Sequence, residues 1–163
     1  NSLTNTSSSA ISINTASAIV VNNIIKASVS HAIRVSGQDS RVSGNDINGA
    51  TGNGINILAA VTGISLTENR IRNTSNTAIT GLQPDTVVRR NVGYVTESRG
   101  SATIADGSST LVVTHGLATT PNSVVVTPRT NEAVWVSSRA SANFTLSRAG
   151  TSGALIVDWQ AEM

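Results

Sequence analysis

The chain has 163 residues, with 11 Lys or Arg against 9 Asp or Glu, a formal net charge of +2 and no cysteine. That composition excludes disulfides and thiolate metal sites, and it lacks the basic stripe of a nucleic-acid binder. Ile57–Val61 is among its longest apolar runs, far short of the ~20 residues a membrane-spanning helix needs, so no membrane insertion is expected.

Aromatic residues are confined to Tyr94, Trp135, Phe144 and Trp159. A core must therefore come from Ile, Val, Leu and Ala, which fill narrow, layered interiors. Charged residues make up only 12%, less than a monomer of this size normally shows, which implies surface buried between subunits. The first residue is Asn, and the chain reads as a C-terminal piece of something longer.

From the N-terminus, asparagines set a register at Asn1, Asn23, Asn45, Asn69 and Asn91, spaced 22, 22, 24 and 22 residues apart. Two places after the anchor stand Leu3, Ile25, Ile47 and Ile71. Ten places after it stand Ile11, Ile33, Ile55 and Ile79. Ile13, Val35, Ile57 and Gly81 follow two residues later, and Val20, Val42, Leu66 and Val88 come three before the next anchor. A period near 22 signals a solenoid. Leu-x-x-Leu-x-Leu is absent, which argues against a leucine-rich repeat. Three apolar stations per period fit a parallel β-helix, whose strands point alternate side chains inward. No segment repeats at i, i+3, i+4, i+7 over several turns. In this reading the inward residues stack in ladders, Asn supplies the left-handed turns and hydrogen-bonds along its own ladder. The two extra residues of the third coil enlarge a turn near Ala59–Gly63.

Asn69-Arg70-Ile71-Arg72-Asn73, Asn45-Asp46-Ile47 and Gly54-Ile55-Asn56-Ile57 resemble right-handed parallel β-helix repeats of the pectate-lyase type. Such repeats occur in polysaccharide lyases, epimerases and bacteriophage tailspikes. The resemblance covers about residues 1–95 and implies fold more than chemistry, because many activities share this scaffold.

After Asn91 the repeat fades, and Thr96–Gly100 reads as a linker. Short alternating segments then follow at 102–105, 110–114, 123–127, 133–137, 143–147 and 155–159, separated by Gly, Pro and Asp. Strands at about ten-residue spacing predict a small antiparallel β-sandwich over 101–163. Leu111/Val113, Val124/Val126 and Phe144/Leu146 would share its inner side, with Leu155, Val157 and Trp159 from the last strand. The pattern Ala102-Thr103-Ile104, Val113-Thr114-His115-Gly116-Leu117, Pro121, Val126-Thr127-Pro128, Trp135-Val136 and Asp158-Trp159-x-Ala161 looks like a C-terminal domain of phage tail spikes and fibres. That resemblance implies a homotrimer, located in the virion tail. The expected fold is thus all-β, a right-handed β-helix of about four coils followed by the sandwich.

Candidate sites are few. Arg70, Arg72, Arg89 and Arg90 form the densest basic group and suit an acidic polysaccharide, since Arg contacts carboxylates in pairs. A solvated face is the competing reading. Trp135 and Trp159 offer rings for sugar stacking, or anchors for a core or interface. Asp46 and Glu68 are the carboxylate candidates for hydrolysis, yet Arg70 and Arg90 occupy their repeat positions in the next coil, as in ordinary surface pairing. His31 reads as a satisfied structural histidine. His115 reads as bonded to a turn backbone, with ion binding at a trimer axis as the alternative. No catalytic residue, metal or cofactor is assigned. The functional expectation is a trimeric tail spike or fibre piece binding a bacterial surface polysaccharide. The alternatives are a polysaccharide depolymerase with its active site mostly upstream, or a trimerisation and folding module.

Overall fold

The computed structural model describes residues 1–163 and consists of strands and turns, with no helix. It divides into two compact units, Asn1–Tyr94 and Val95–Met163.

The first unit is a parallel β-solenoid of four turns, each contributing three short strands. β1 (Ser2–Thr4), β4 (Ile24–Ser28), β7 (Asp46–Ala50) and β10 (Arg70–Thr74) form sheet 1. β2 (Ile11–Ile13), β5 (Ile33–Val35), β8 (Ile55–Ile57) and β11 (Ile79–Thr80) form sheet 2. β3 (Ile19–Val21), β6 (Arg41–Ser43), β9 (Ser65–Thr67) and β12 (Val87–Arg89) form sheet 3. The register stacks like on like. Leu3, Ile25, Ile47 and Ile71 pair in sequence, as do Ile11, Ile33, Ile55 and Ile79 and Val20, Val42, Leu66 and Val88. The apolar stations of the repeat are therefore the core: Ile25, Ile33, Val35, Val42, Ile47, Ile55 and Leu66 are fully buried. Each fully buried Ile or Leu contributes about 1.5–3 kcal/mol against exposure.

The asparagine anchors form a buried ladder. Asn23 donates from its backbone N and from Nδ2 to Asn45 Oδ1, both at 3.0 Å. Asn45 does the same to Asn69 Oδ1 at 3.1 and 2.9 Å, and Asn69 to Asn91 Oδ1 at 2.9 and 3.0 Å. One expectation is corrected here. The left-handed residue is not the anchor but the residue before it: Asn22, Gly44, Glu68 and Arg90 have φ of 55, 65, 58 and 54°. The reason is geometric. The anchor's side chain must point inward to reach the next rung, and the corner is made by its outward neighbour. A second left-handed series, Asn5, Ala27, Gly49 and Asn73, bends the chain at the end of sheet 1; the last three are the penultimate residues of β4, β7 and β10.

Gly81 and Gly93 interrupt the apolar stations for a reason the backbone makes plain. Both have positive φ, and a Cβ at either would lie 1.9 Å from a carbonyl oxygen of the coil below, that of Ile57 or Ile71. In the third coil the turn between β8 and β9 runs from Leu58 to Ile64, against Ser36–Ser40 in the second. Val61 and Ile64 of that longer turn are buried, so the two extra residues add core.

The second unit is two three-stranded antiparallel sheets. β13 (Glu97–Ile104), β18 (Leu155–Glu162) and β15 (Ser123–Pro128) make sheet 4 in the order β13-β18-β15. β14 (Thr110–Thr114), β17 (Asn143–Arg148) and β16 (Val134–Arg139) make sheet 5 in the order β14-β17-β16. Ile104, Leu155 and Val157 from one sheet meet Val113, Phe144 and Leu146 from the other in a single buried cluster, with Val124, Val126 and Trp159 packed on it. This is the sandwich that the alternation predicts. The stretch expected as a linker is corrected: from Glu97 onward it is strand, paired residue for residue with β18 from Glu97↔Glu162 to Ile104↔Leu155. Its polar composition suits a strand whose outer face meets water.

Candidate functional site

The basic group starts from the solenoid's corner. Outward positions on sheet 1 stack as Ile24, Asp46 and Arg70, and beside them Lys26, Asn48 and Arg72. On sheet 3 the outward rows are Ile19, Arg41, Ser65 and Val87, and Val21, Ser43, Thr67 and Arg89. Arg89 and Arg90 immediately precede Asn91, and Arg70 pairs with Val92 across an isolated bridge. Arg70, Arg89 and Arg90 therefore flank one corner of the last turn.

Arg72 does not share their freedom. Its Nη2 donates to both oxygens of Asp46 at 3.0 and 3.1 Å, diagonally across adjacent coils. This removes Asp46 as a free carboxylate and Arg72 as a free cation. Arg90 reaches Glu68 at 3.5 Å with both side chains largely exposed, an arrangement worth little. Arg70 and Arg89 form no ion pair and project into solvent.

Sequence reasoning missed what accompanies them. Arg41 lies on the same face, and Ile19, Val21, Ile24, Val87 and Val92 are exposed around the corner. The signal was present: Ile19-Val20-Val21 and Val87-Val88 are apolar where strict alternation requires a polar residue. The outward row of sheet 2, by contrast, reads Ser12, Arg34, Asn56 and Thr80. Along the other corner runs an open groove of about 420 Å³, with Asn5, Ala27, Gly49 and Asn73 on one side and Val29 and Thr51 on the other.

Both histidines are structural. The Nδ1 of His31 accepts from Asn53 N at 3.1 Å. His115 is buried and lies parallel to the Phe144 ring. Its Nδ1 accepts from Leu117 N at 3.0 Å, and its Nε2 sits 3.0 Å from the Ala140 carbonyl, to which it must donate. Both ring nitrogens are committed to backbone, which leaves none for an ion.

The two tryptophans separate cleanly. Trp159 meets Phe144 edge-on at 5.3 Å within the core, and its Nε1 is buried without a partner. Trp135 projects from the outer face of sheet 5, 47% exposed. A cleft of about 510 Å³ between Thr120–Asn122 and Val136–Arg139 lies nearby but does not include Trp135.

A residue that nothing in the sequence singled out is Arg148. Its side chain is wholly buried. Nε donates to Ser108 O at 2.8 Å, Nη1 to Gly153 O at 2.8 Å and Nη2 to Ala105 O at 3.1 Å, and Glu132 stands 3.6 Å away.

On the outer face of sheet 4, Arg129 grips Asp158 through Nε and Nη2 at 3.0 and 2.8 Å. That hydrogen bond holds the Asp158 carboxyl below the ordinary aspartate value of 3.8 and pushes the Arg129 guanidinium up. A depressed carboxyl contributes stability above its unfolded pKa and loses it as pH falls through the folded one. The pair is therefore intact at neutral pH and opens only below the ordinary aspartate range. Carbon-detected NMR titration of Asp158 should show a midpoint below 3.8, and Arg129→Gln should move it up.

No protein family matches the chain, and no curated protein does. Among solved structures the chain is similar to the tailspike gp61 of Pseudomonas phage phi297, at TM-score 0.37 and 11% identity. The similarity covers 89% of this chain and 30% of that one, so this chain spans about a third of the length of the structure it matches.

Proposed function

We propose that this chain is the distal part of a phage tail spike or fibre, a homotrimer in the virion tail that binds a bacterial surface polysaccharide. The observation that carries the reading is the order of its parts: a parallel solenoid with a continuous core, followed by an antiparallel sandwich. This is the order implied by the sequence resemblance. The binding surface we assign is the corner of the last solenoid turn, where Arg70, Arg89 and Arg90 stand among exposed aliphatic side chains. Arg contacts carboxylates with paired donors, so an acidic polysaccharide is the ligand class that suits it. Arg72, held by Asp46, supports the surface without offering a free charge, and Trp135 belongs to the second unit.

The test is binding of the purified chain to acidic and to neutral surface polysaccharides, together with its mass in solution. Retention by the acidic polymers, lost in Arg70→Ser/Arg89→Ser, supports the reading. Equal retention of the double variant, or a single-chain mass at every concentration, overturns the corresponding half of it. Shortening of the polymer by this chain alone would favour the depolymerase alternative.

A further inference from the structure

The two outer faces of the sandwich differ in kind. The outer face of sheet 4 is charged: Glu97, Arg99, Asp158 and Glu162 all project from it, and Glu97 sits directly opposite Glu162 across the β13–β18 pair. The outer face of sheet 5 has no ionisable side chain. Its rows are Thr110, Ser147 and Trp135, then Val112, Thr145 and Ser138, then Thr114 and Asn143. On it the largest apolar groups are Trp135 and Val112, 47% and 61% exposed.

We infer that the outer face of sheet 5 is where this chain packs against further copies of itself, around the axis of the assembly. The inference rests on the homotrimer proposed above and names the surface that forms it.

Two physical arguments select this face. Cyclic symmetry gathers copies of one patch around a common axis. A charged side chain there would confront its own copies and lose its hydration. Sheet 5 brings no charge to such an axis, while sheet 4 would bring Glu97 and Glu162 from every copy. Interface centres are likewise poor in charge and rich in Trp.

The second argument concerns the hydroxyls. Covering a polar group costs free energy unless it already has a partner. The register of β16 against β17 shifts between Val136 and Ser138, a bulge that turns successive serines onto the sheet's hydroxyl row. Ser147 Oγ donates to Ser137 Oγ at 2.8 Å, and Ser138 Oγ to Thr145 Oγ1 at 2.9 Å. These hydroxyls satisfy one another within the chain, so a dry partner can cover them at little loss. A soluble glycan would instead look for free hydroxyls and a recess, and the cleft beside β16 does not include Trp135.

The experiment uses the whole chain and measures its mass by analytical ultracentrifugation over a wide concentration range. Iodide quenching of the Trp159→Phe variant reports on Trp135 alone. The expected results are a trimeric wild type with Trp135 shielded, and a loss of association of 100-fold or more in Trp135→Glu and in Val112→Glu. Val125→Glu, an equally exposed valine on sheet 4, should assemble as the wild type does. Thr110→Lys/Thr114→Lys carries the same test at exposed threonines, where folding is not at stake, and circular dichroism checks each variant. A trimeric wild type with trimeric sheet 5 variants overturns this inference and leaves the homotrimer standing, as does dissociation by Val125→Glu alone. A wild type that stays monomeric overturns both. A monomer whose Trp135 becomes shielded on adding polysaccharide also overturns both and assigns the face to a glycan.

Discussion

Asn69→Ala is expected to destabilise the solenoid by about 3 kcal/mol or more, since each buried polar group left unpaired costs about 1–3 kcal/mol. Asn69 is fully buried. Its Oδ1 accepts from Asn45 N and Nδ2, and its Nδ2 donates to Val42 O at 2.9 Å and to Asn91 Oδ1 at 3.0 Å. Alanine strands the Asn45 N–H and leaves a void in a closely packed interior. Asn69→Asp is no milder: it keeps the volume but sets an oxygen where Nδ2 donated, facing two acceptors with no proton between them. Asn48→Ala, on the outward row, should stay within about 0.5 kcal/mol, as surface changes generally do. Native-state hydrogen exchange at the Asn45 amide reads the difference directly. Unchanged protection in Asn69→Ala would mean that the ladder contributes nothing to the solenoid.

Arg148→Met is expected to cost the second unit about 3–5 kcal/mol, the range for breaking a buried charged pair from one side. The guanidinium ties its own strand to two turns through the carbonyls of Ala105 and Ser108 in one and of Gly153 in the other. Methionine refills much of the volume and satisfies none of them, and it leaves Glu132 beside an apolar group. Arg148→Lys should recover only part of the loss, because one ammonium cannot span what the planar fork spans. Glu132→Gln should cost far less than either, since its contact of 3.6 Å is the longest around the guanidinium. Urea unfolding followed by Trp159 emission in a Trp135→Phe background ranks the three variants. A Glu132→Gln loss equal to that of Arg148→Met would make the ion pair, and not the carbonyls, the main contribution.

The solenoid was legible because its requirement repeats: each inward station must carry the same kind of side chain in every coil, so Ile25, Ile47 and Ile71 announce one another. The six strands of the sandwich were legible from alternation and turn residues. What escaped depended on geometry that no spacing records. Asparagine's tolerance of left-handed backbone pointed to the anchors, whereas the corner belongs to the residue before each of them, which in two of the four cases is Glu68 or Arg90, with no such preference. Glu97–Gly100 looked like a break because its side chains are polar, and only its pairing with β18 makes it strand. Arg72 looked available because its partner is not the residue stacked on it, Asn48, but Asp46 on the diagonal. Arg148 gave no sign at all, since an arginine after Ser147 reads as the end of a strand entering a turn. Of the basic corner, the arginines were legible and the exposed aliphatics around them were overlooked.

The asparagine ladder also gives the solenoid a direction. In each of the three Asn–Asn side-chain bonds the donor is the amide of the earlier coil and the acceptor is the oxygen of the later one. The side-chain dipoles therefore line up head to tail and reinforce one another. Two solenoids meeting end to end in opposite senses would set amide against amide with donors or acceptors mismatched. Only addition in the same sense continues the row. Exposed strand ends are common seeds of unwanted fibre growth, and a polar row with one permitted sense restricts which encounters can seed it.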